Sequence, residues 1–211
     1  MQLPTVYPII DCSHFSVSTD GLAKVLAFAE ELLSAGATMI QYRDKSSDPA
    51  RFLSHARELR RVTRDRARLI VNDRPDLALA CDADGVHLGQ DDLSPAAARR
   101  IFTAAGQPDL VIGFSTHNLE QVRLADTMPI DYVAVGPVFA TSSKTNPDPM
   151  IGVEGVRQAR RITQKPLVAI GGITRGNCRV VREAGADSVA VISDLFESPG
   201  KALADFLRVL G

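Results

Sequence analysis

Short apolar, β-branched runs alternate eight times with segments of helical spacing, and this alternation most restricts how the chain can fold. The runs are Val6–Ile10, Thr38–Arg43, Arg68–Asn72, Gly85–Leu88, Leu110–Ser115, Tyr132–Gly136, Pro166–Gly171 and Ser188–Ser193. Most are nearly continuously apolar, the mark of parallel strands covered on both faces. Between them lie stretches such as GLAKVLAFAEELLSAGA and PARFLSHARELRRVTRDR, whose apolar residues recur at helical intervals. Asp48-Pro49, Ser94-Pro95 and Ser198-Pro199 each put a capping side chain before a proline at the first helical position. SAGA and EAGA supply glycines, Gly36 and Gly185, where a helix ends in a left-handed residue. Eight strand–helix units in 211 residues predict a single-domain α/β fold spanning 1–211, a compact (β/α)8 TIM barrel. An open doubly wound sheet needs a glycine-rich turn after its first strand, and YPIIDCSHFS has none.

Composition removes several classes of function. Lys and Arg total 24 against 25 Asp and Glu, a net charge of −1 that gives no reason to expect nucleic acid or a membrane surface as partner. Cys12, Cys81 and Cys178 are odd in number, far apart and without a Cys-x-x-Cys pair, which argues against a disulfide framework or zinc site. With no signal-peptide pattern and no run of 18 apolar residues, the expected location is the cytoplasm.

In such a barrel the C-terminal ends of the strands converge on one mouth, where chemistry sits. The second run ends in QYRDK, placing Gln41 and Arg43 on one face and Lys45 just beyond. A lone basic pair after a strand is commonly solvated, but an inward Gln–Arg pair on an apolar strand needs a polar or anionic partner. Asp73 follows the third run and Asp92 lies in the GQDD loop after the fourth. Either acid has a bland role as a cap, Asp73 for the helix PDLALA; together, as neighbours at the mouth, they suit Mg²⁺, which takes one or two carboxylates plus water and substrate phosphate oxygens. His87 sits within a strand, where a satisfied core residue and a catalyst compete as readings, and Ser115 and His117 stand where they can cap the next helix, the expected role of His117. VFATSSKTNPDPMIG is long and aperiodic for so compact a barrel, which marks it as functional or disordered; Thr141, Ser142 and Ser143 beside Lys144 suit a phosphate-rich ligand. AIGGI at the end of the seventh run and DLFES after the eighth form the glycine turn and short extra helix of a barrel phosphate site.

Taken together, QYRDK, VNDRPDLA, ADGVHLGQDDL, IGFSTH, YVAVGPVFATSSK, VAIGGI and VAVIS occur in an order and spacing that resembles the thiamine-phosphate synthases, from Tyr7 to Ser193. The resemblance implies the barrel already inferred. It also implies an enzyme that joins a hydroxymethylpyrimidine diphosphate to a thiazole phosphate with Mg²⁺ as cofactor. By this resemblance Gln41, Arg43, Lys45 and Asn72 surround the pyrimidine and its diphosphate, Asp73 and Asp92 are the metal ligands, and Ser115 and Lys144 contact the diphosphate. Thr141 and Ser143, with the amides of Gly172, Ile192 and Ser193, take the thiazole phosphate. Arg43, Lys45, Ser115 and Lys144 carry the catalytic roles, the partners are two small molecules, and a homo-oligomer is left open. Ala140 departs from a usual proline, Ser143 from a usual threonine, and YPIID varies the usual first-strand ending. The nearest rivals are a thiazole tautomerase of the same fold, with His87 as its acid–base group, and a phosphate-binding barrel without activity.

Overall fold

The computed structural model describes residues 1–15, 21–46, 48–141 and 148–211. Eight parallel strands, β1 (Val6–Asp11), β2 (Met39–Arg43), β3 (Arg68–Asn72), β4 (Gly85–Leu88), β5 (Val111–Thr116), β6 (Tyr132–Val135), β7 (Leu167–Ile170) and β8 (Ser188–Val191), close in sequence order into a barrel. The helices that return the chain are α1 (Gly21–Ser34), α2 (Pro49–Thr63), α3 (Pro75–Ala80), α4 (Pro95–Ala104), α5 (Leu119–Asp126), α6 (Gly152–Ile162), α7 (Cys178–Glu183) and α8 (Pro199–Leu210). Closure comes from β8 pairing with β1, Val6 opposite Val189 and Pro8 opposite Val191. The strands' period of two divides the core. Tyr7, Ile9, Met39, Ile70, Tyr132, Val168 and their neighbours fill the barrel, while the alternate residues pack outward against the helices. No helix among the described residues is long and apolar enough to cross a membrane.

Two of the three expected caps form. Asp48 accepts from the amides of Ala50 (3.1 Å) and Arg51 (3.0 Å), and Ser94 Oγ from that of Ala97 (3.3 Å). Ser198 makes no side-chain cap to α8. Pro199 has already removed one unpaired donor there, and the Gly200 amide reaches the Glu31 carboxylate on α1 at 3.4 Å instead. Gly36 and Gly185 adopt φ of 97° and 106°, as a left-handed helix end requires.

A repeated fastening at the strand starts was not visible in the sequence pattern. Asp84, Asp131 and Asp187 immediately precede β4, β6 and β8. The backbone amide of each donates to the carbonyl of a residue in the preceding strand (Leu69, Ile112 or Leu167), and its carboxylate accepts from that same residue's amide at 2.8 Å. Arg60 on α2, Arg99 on α4 and Arg160 on α6 then close 2.8 Å ion pairs with the three acids. Before β2 the corresponding residue is Thr38, and no such ion pair can form. Asp84→Ala leaves the wholly buried Leu69 amide without its carboxylate partner. The expected cost is about 1–2 kcal/mol, the lower part of the range for an unsatisfied buried donor because the ion pair is partly solvated. That corresponds to a fall in Tm of roughly 2–8 °C for a chain of this size. Since these fastenings lie at the barrel end opposite the mouth, the arrangement of side chains at the mouth should stay unchanged; an unaltered Tm would remove the fastenings from the stability of the fold.

Candidate active site

The mouth opens into a cavity of about 540 Å³. Gln41, Arg43, Lys45, Asn72 and Ser115 line it, as do Asp73 and Asp92. Thr141, Gly172, Ile192 and Ser193 complete the set of expected residues found there. Ser143 and Lys144 lie outside the described residues.

β2 builds one wall. Gln41 and Arg43 project to the same side, as their spacing of two dictates, and Gln41 is buried. Arg43 is held by an ion pair to Asp11, the last residue of β1, whose carboxylate is only 1% exposed and also accepts from the amide (3.0 Å) and hydroxyl (2.8 Å) of Ser13. Sequence reading missed Asp11. Its signal was the acid that closes YPIID, and only the pairing of β1 with β2, Asp11 opposite Arg43, gives that acid a partner. On β3, the Asn72 side-chain nitrogen is buried with no hydrogen-bond partner among the described residues, so a donor stands ready for a ligand.

The capping reading of Asp73 does not hold. Arg74 occupies the N-cap of α3, without a side-chain cap, and Asp73 stands before it at φ 65°. In that left-handed turn, which Asp tolerates better than most residues, its amide donates to the His87 carbonyl (2.8 Å) and its carboxylate takes Lys45 Nζ (2.5 Å). Asp92 fastens its own loop by accepting from the Gly89 amide at 2.7 Å. Burial, and then the facing Asp73 carboxylate, push the Asp92 carboxyl above the ordinary carboxylate range. Two acids forced together in this way favour a cation between them. Among the described residues no cluster of three or more His, Cys, Asp or Glu is arranged for a metal. A pair leaves most of an octahedron to water and ligand oxygens, which fits Mg²⁺ and not a site enclosed wholly by protein.

The cavity floor is polar and buried. Gln41 Nε2 donates to the Tyr7 hydroxyl (3.1 Å), which meets that of Tyr132 (3.1 Å). Tyr132 contacts His87 Nδ1 (2.9 Å), and His87 Nε2 contacts Ser115 Oγ (2.8 Å). The Tyr132 ring fits because β5 carries Gly113, where a Cβ would fall 2.0 Å from a ring carbon. His117 does not cap α5. Asn118 does, accepting from the Gln121 amide at 2.9 Å, while His117 Nδ1 turns to the Gly136 carbonyl (2.8 Å) and Asp148 (3.4 Å).

Across the cavity, β7 ends in the turn Gly171-Gly172. Gly172 has φ 63°, and a Cβ there would lie 2.3 Å from the Ala140 carbonyl oxygen, so both backbone and packing require glycine. Asn177 clamps the turn, donating to the Gly172 carbonyl (3.0 Å) and accepting from the Thr174 amide (2.8 Å). Arg175 ties it to Asp194 in the short 3-10 helix Ser193–Leu195, the expected extra helix after β8.

A family model described as thiamine monophosphate synthase matches residues 6–195. The chain is 50% identical over 210 residues to a thiamine-phosphate synthase of Koribacter versatilis, covering 100% of this chain and 97% of that protein. It is 43% identical to one of Methanospirillum hungatei, covering 92% and 95%. A solved thiamine phosphate pyrophosphorylase from Pyrococcus furiosus superposes with a TM-score of 0.83 at 33% identity, over 98% of this chain and 95% of that one.

Proposed function

Because this chain belongs to the thiamine monophosphate synthase family and is a transferase of thiamine biosynthesis, we propose that its cavity joins 4-amino-2-methyl-5-hydroxymethylpyrimidine diphosphate to 4-methyl-5-(2-phosphoethyl)thiazole. The products are thiamine phosphate and diphosphate. The observation that carries the proposal is the facing pair Asp73 and Asp92, with Lys45 on one of them and Arg43 on the same wall, opposite the Gly171-Gly172 turn. One end suits a metal-bound diphosphate and the other a phosphomonoester.

In this reading the C–O bond between the pyrimidine methylene and the diphosphate breaks, and its electron pair leaves with the diphosphate. The thiazole nitrogen then uses its lone pair to form the C–N bond, and no proton need be removed. Arg43, fixed by Asp11, and Lys45 stabilise the charge that grows on the leaving group, and the Ser115 hydroxyl donates to it. Gln41 and Asn72 orient the pyrimidine side, while Thr141 and the amides of Gly172, Ile192 and Ser193 receive the thiazole phosphate. Lys144 and Ser143 belong to the segment outside the described residues, and we assign them the diphosphate and the thiazole phosphate on sequence resemblance alone. Asp73 and Asp92 would hold Mg²⁺, which when bound supplies further positive charge to the leaving group. His87 has both ring nitrogens engaged by Tyr132 and Ser115, which favours a positioning part over the acid–base role of a tautomerase.

The test is turnover of purified protein with both substrates, with each alone, and with Mg²⁺ or EDTA. Thiamine phosphate should form only when both substrates and Mg²⁺ are present. Isomerisation of a thiazole precursor without the pyrimidine diphosphate would sink the assignment.

A further inference from the structure

The groups at the cavity floor, with Tyr132 buried beneath it, form an unbroken line from one wall to the other: Gln41 on β2, Tyr7 on β1, Tyr132 on β6, His87 on β4 and Ser115 on β5. We propose that this line is a directional hydrogen-bond chain, and that Tyr7, Tyr132 and His87 are positioning residues that make the donor–acceptor choice at Gln41 fix the choice at Ser115. The ligand it would serve rests on the pyrimidine diphosphate reading above; the chain itself does not.

Direction follows from counting protons. Each tyrosine hydroxyl has one proton to give, and a buried hydroxyl must give it to a neighbour. Tyr7 and Tyr132 are 1% and 0% exposed, and burial pushes both phenols up, so both keep their protons. Gln41 Nε2 already donates to Tyr7, so the Tyr7 proton goes to the Tyr132 oxygen at 3.1 Å. The Tyr132 proton then goes to His87 Nδ1 at 2.9 Å. With Nδ1 accepting, the neutral imidazole carries its proton on Nε2 and donates it to Ser115 Oγ at 2.8 Å. Ser115, having accepted, presents its own proton to the cavity, and Gln41 presents its carbonyl oxygen.

The opposite direction uses the same number of protons on every group. If Gln41 accepts from Tyr7, each hydroxyl swings round, His87 carries its proton on Nδ1, and Ser115 donates to His87. Ser115 then offers the cavity only an acceptor, while Gln41 offers its amino group. The first state matches a ligand that gives an N–H to Gln41 and an anionic oxygen to Ser115, as an aminopyrimidine carrying a diphosphate does. The second repels the same ligand at both ends. Selectivity for an exocyclic amine is in this way shared between two residues 74 positions apart, through three groups that need not touch the substrate.

The test is the tautomer of His87, read from the ring ¹⁵N signals of histidine-labelled protein without substrate and assigned by loss of the signal in His87→Gln. Wild type should carry the ring proton on Nε2. Gln41→Glu introduces a carboxylate that can only accept, so once it is ionised, as read from its own ¹³C shift, the proton should move to Nδ1. Adding Tyr7→Phe to Gln41→Glu cuts the chain between the carboxylate and Tyr132, and the proton should return to Nε2. A merely packed interior predicts no change at His87 from a substitution three groups away. A wild-type ring protonated on Nδ1, or an unchanged tautomer beside an ionised carboxylate at 41, overturns the proposal. All three readings are made without substrate. If the tautomer switches and the coupling assay fails, the chain stands and the assigned reaction falls.

Discussion

Asp92→Asn is expected to slow coupling by roughly 10²–10³, the scale on which one preorganised electrostatic stabiliser is lost, about 2.7–4 kcal/mol. Asp73→Asn should do the same. Stability should move the other way or stay still. Asp92 is half-buried and faces another carboxylate, and desolvation and that neighbour both disfavour its charged form. Removing one charge relieves the repulsion, while an amide oxygen at 92 still accepts from Gly89, and asparagine accepts the φ of 65° at position 73 as readily as aspartate. The paired readouts are Tm without ligand and Mg²⁺ affinity by competition with Mn²⁺, alongside turnover. Slow turnover with weakened Mg²⁺ binding and an unchanged or raised Tm supports a metal site. Near-normal coupling by Asp92→Asn that EDTA does not reduce would end that assignment.

Arg43→Ala is expected to damage fold and reaction together. It strands Asp11, a carboxylate 1% exposed, and breaking a buried pair on one side costs about 3–5 kcal/mol. The lower end applies, because Ser13 still donates two hydrogen bonds to Asp11. About 3 kcal/mol lowers Tm by roughly 6–12 °C in a chain of this size. Rate alone therefore cannot say whether Arg43 acts on the diphosphate. The double variant Asp11→Leu/Arg43→Met separates the two effects. Replacing both charges with apolar side chains of similar reach is commonly neutral or stabilising, and Ser13, being exposed, can turn to water. Tm should recover to near wild type while coupling stays down by roughly 10² or more. Recovery of both would make Arg43 a structural residue.

How much of this was legible in the sequence differs by element. The strands were, because a parallel strand covered on both faces cannot alternate in polarity; β3 and β4 run over the expected residues, and the others differ by one or two residues at their ends. The wall residues of β2 were legible because a spacing of two fixes a face before any contact is known. Caps were harder. Ser198, Asp73 and His117 each stand beside a helix start, yet Glu31, Lys45 and the Gly136 carbonyl, all distant in sequence, take part in what happens there. Local preference states which side chains are able to cap and is silent about competitors brought in by the fold. Tyr7 and Tyr132 were the least legible. They are 125 residues apart, and in sequence each is one more aromatic residue in an apolar strand. Only closure of the barrel puts their hydroxyls together, and only the missing side chain at Gly113 leaves room for the second ring.

The acids before β4, β6 and β8 also give the chain a grammar. Each fastening takes its arginine from an even-numbered helix and its acid from the start of the even-numbered strand that follows two steps later, so α2 to β4, α4 to β6 and α6 to β8 are three copies of one sentence. The fourth copy would begin with α8 and end with β2. It is the one divided by the chain ends, its first word at the C-terminus and the rest at the N-terminus, and it is the one in which threonine replaces the acid. The connections ahead of α2, α4, α6 and α8 are the four places that lie between units. Circularly permuted chains that join residue 211 to residue 1 and reopen ahead of α2, α4, α6 or α8 would keep all three fastenings intact and make the fourth unit continuous.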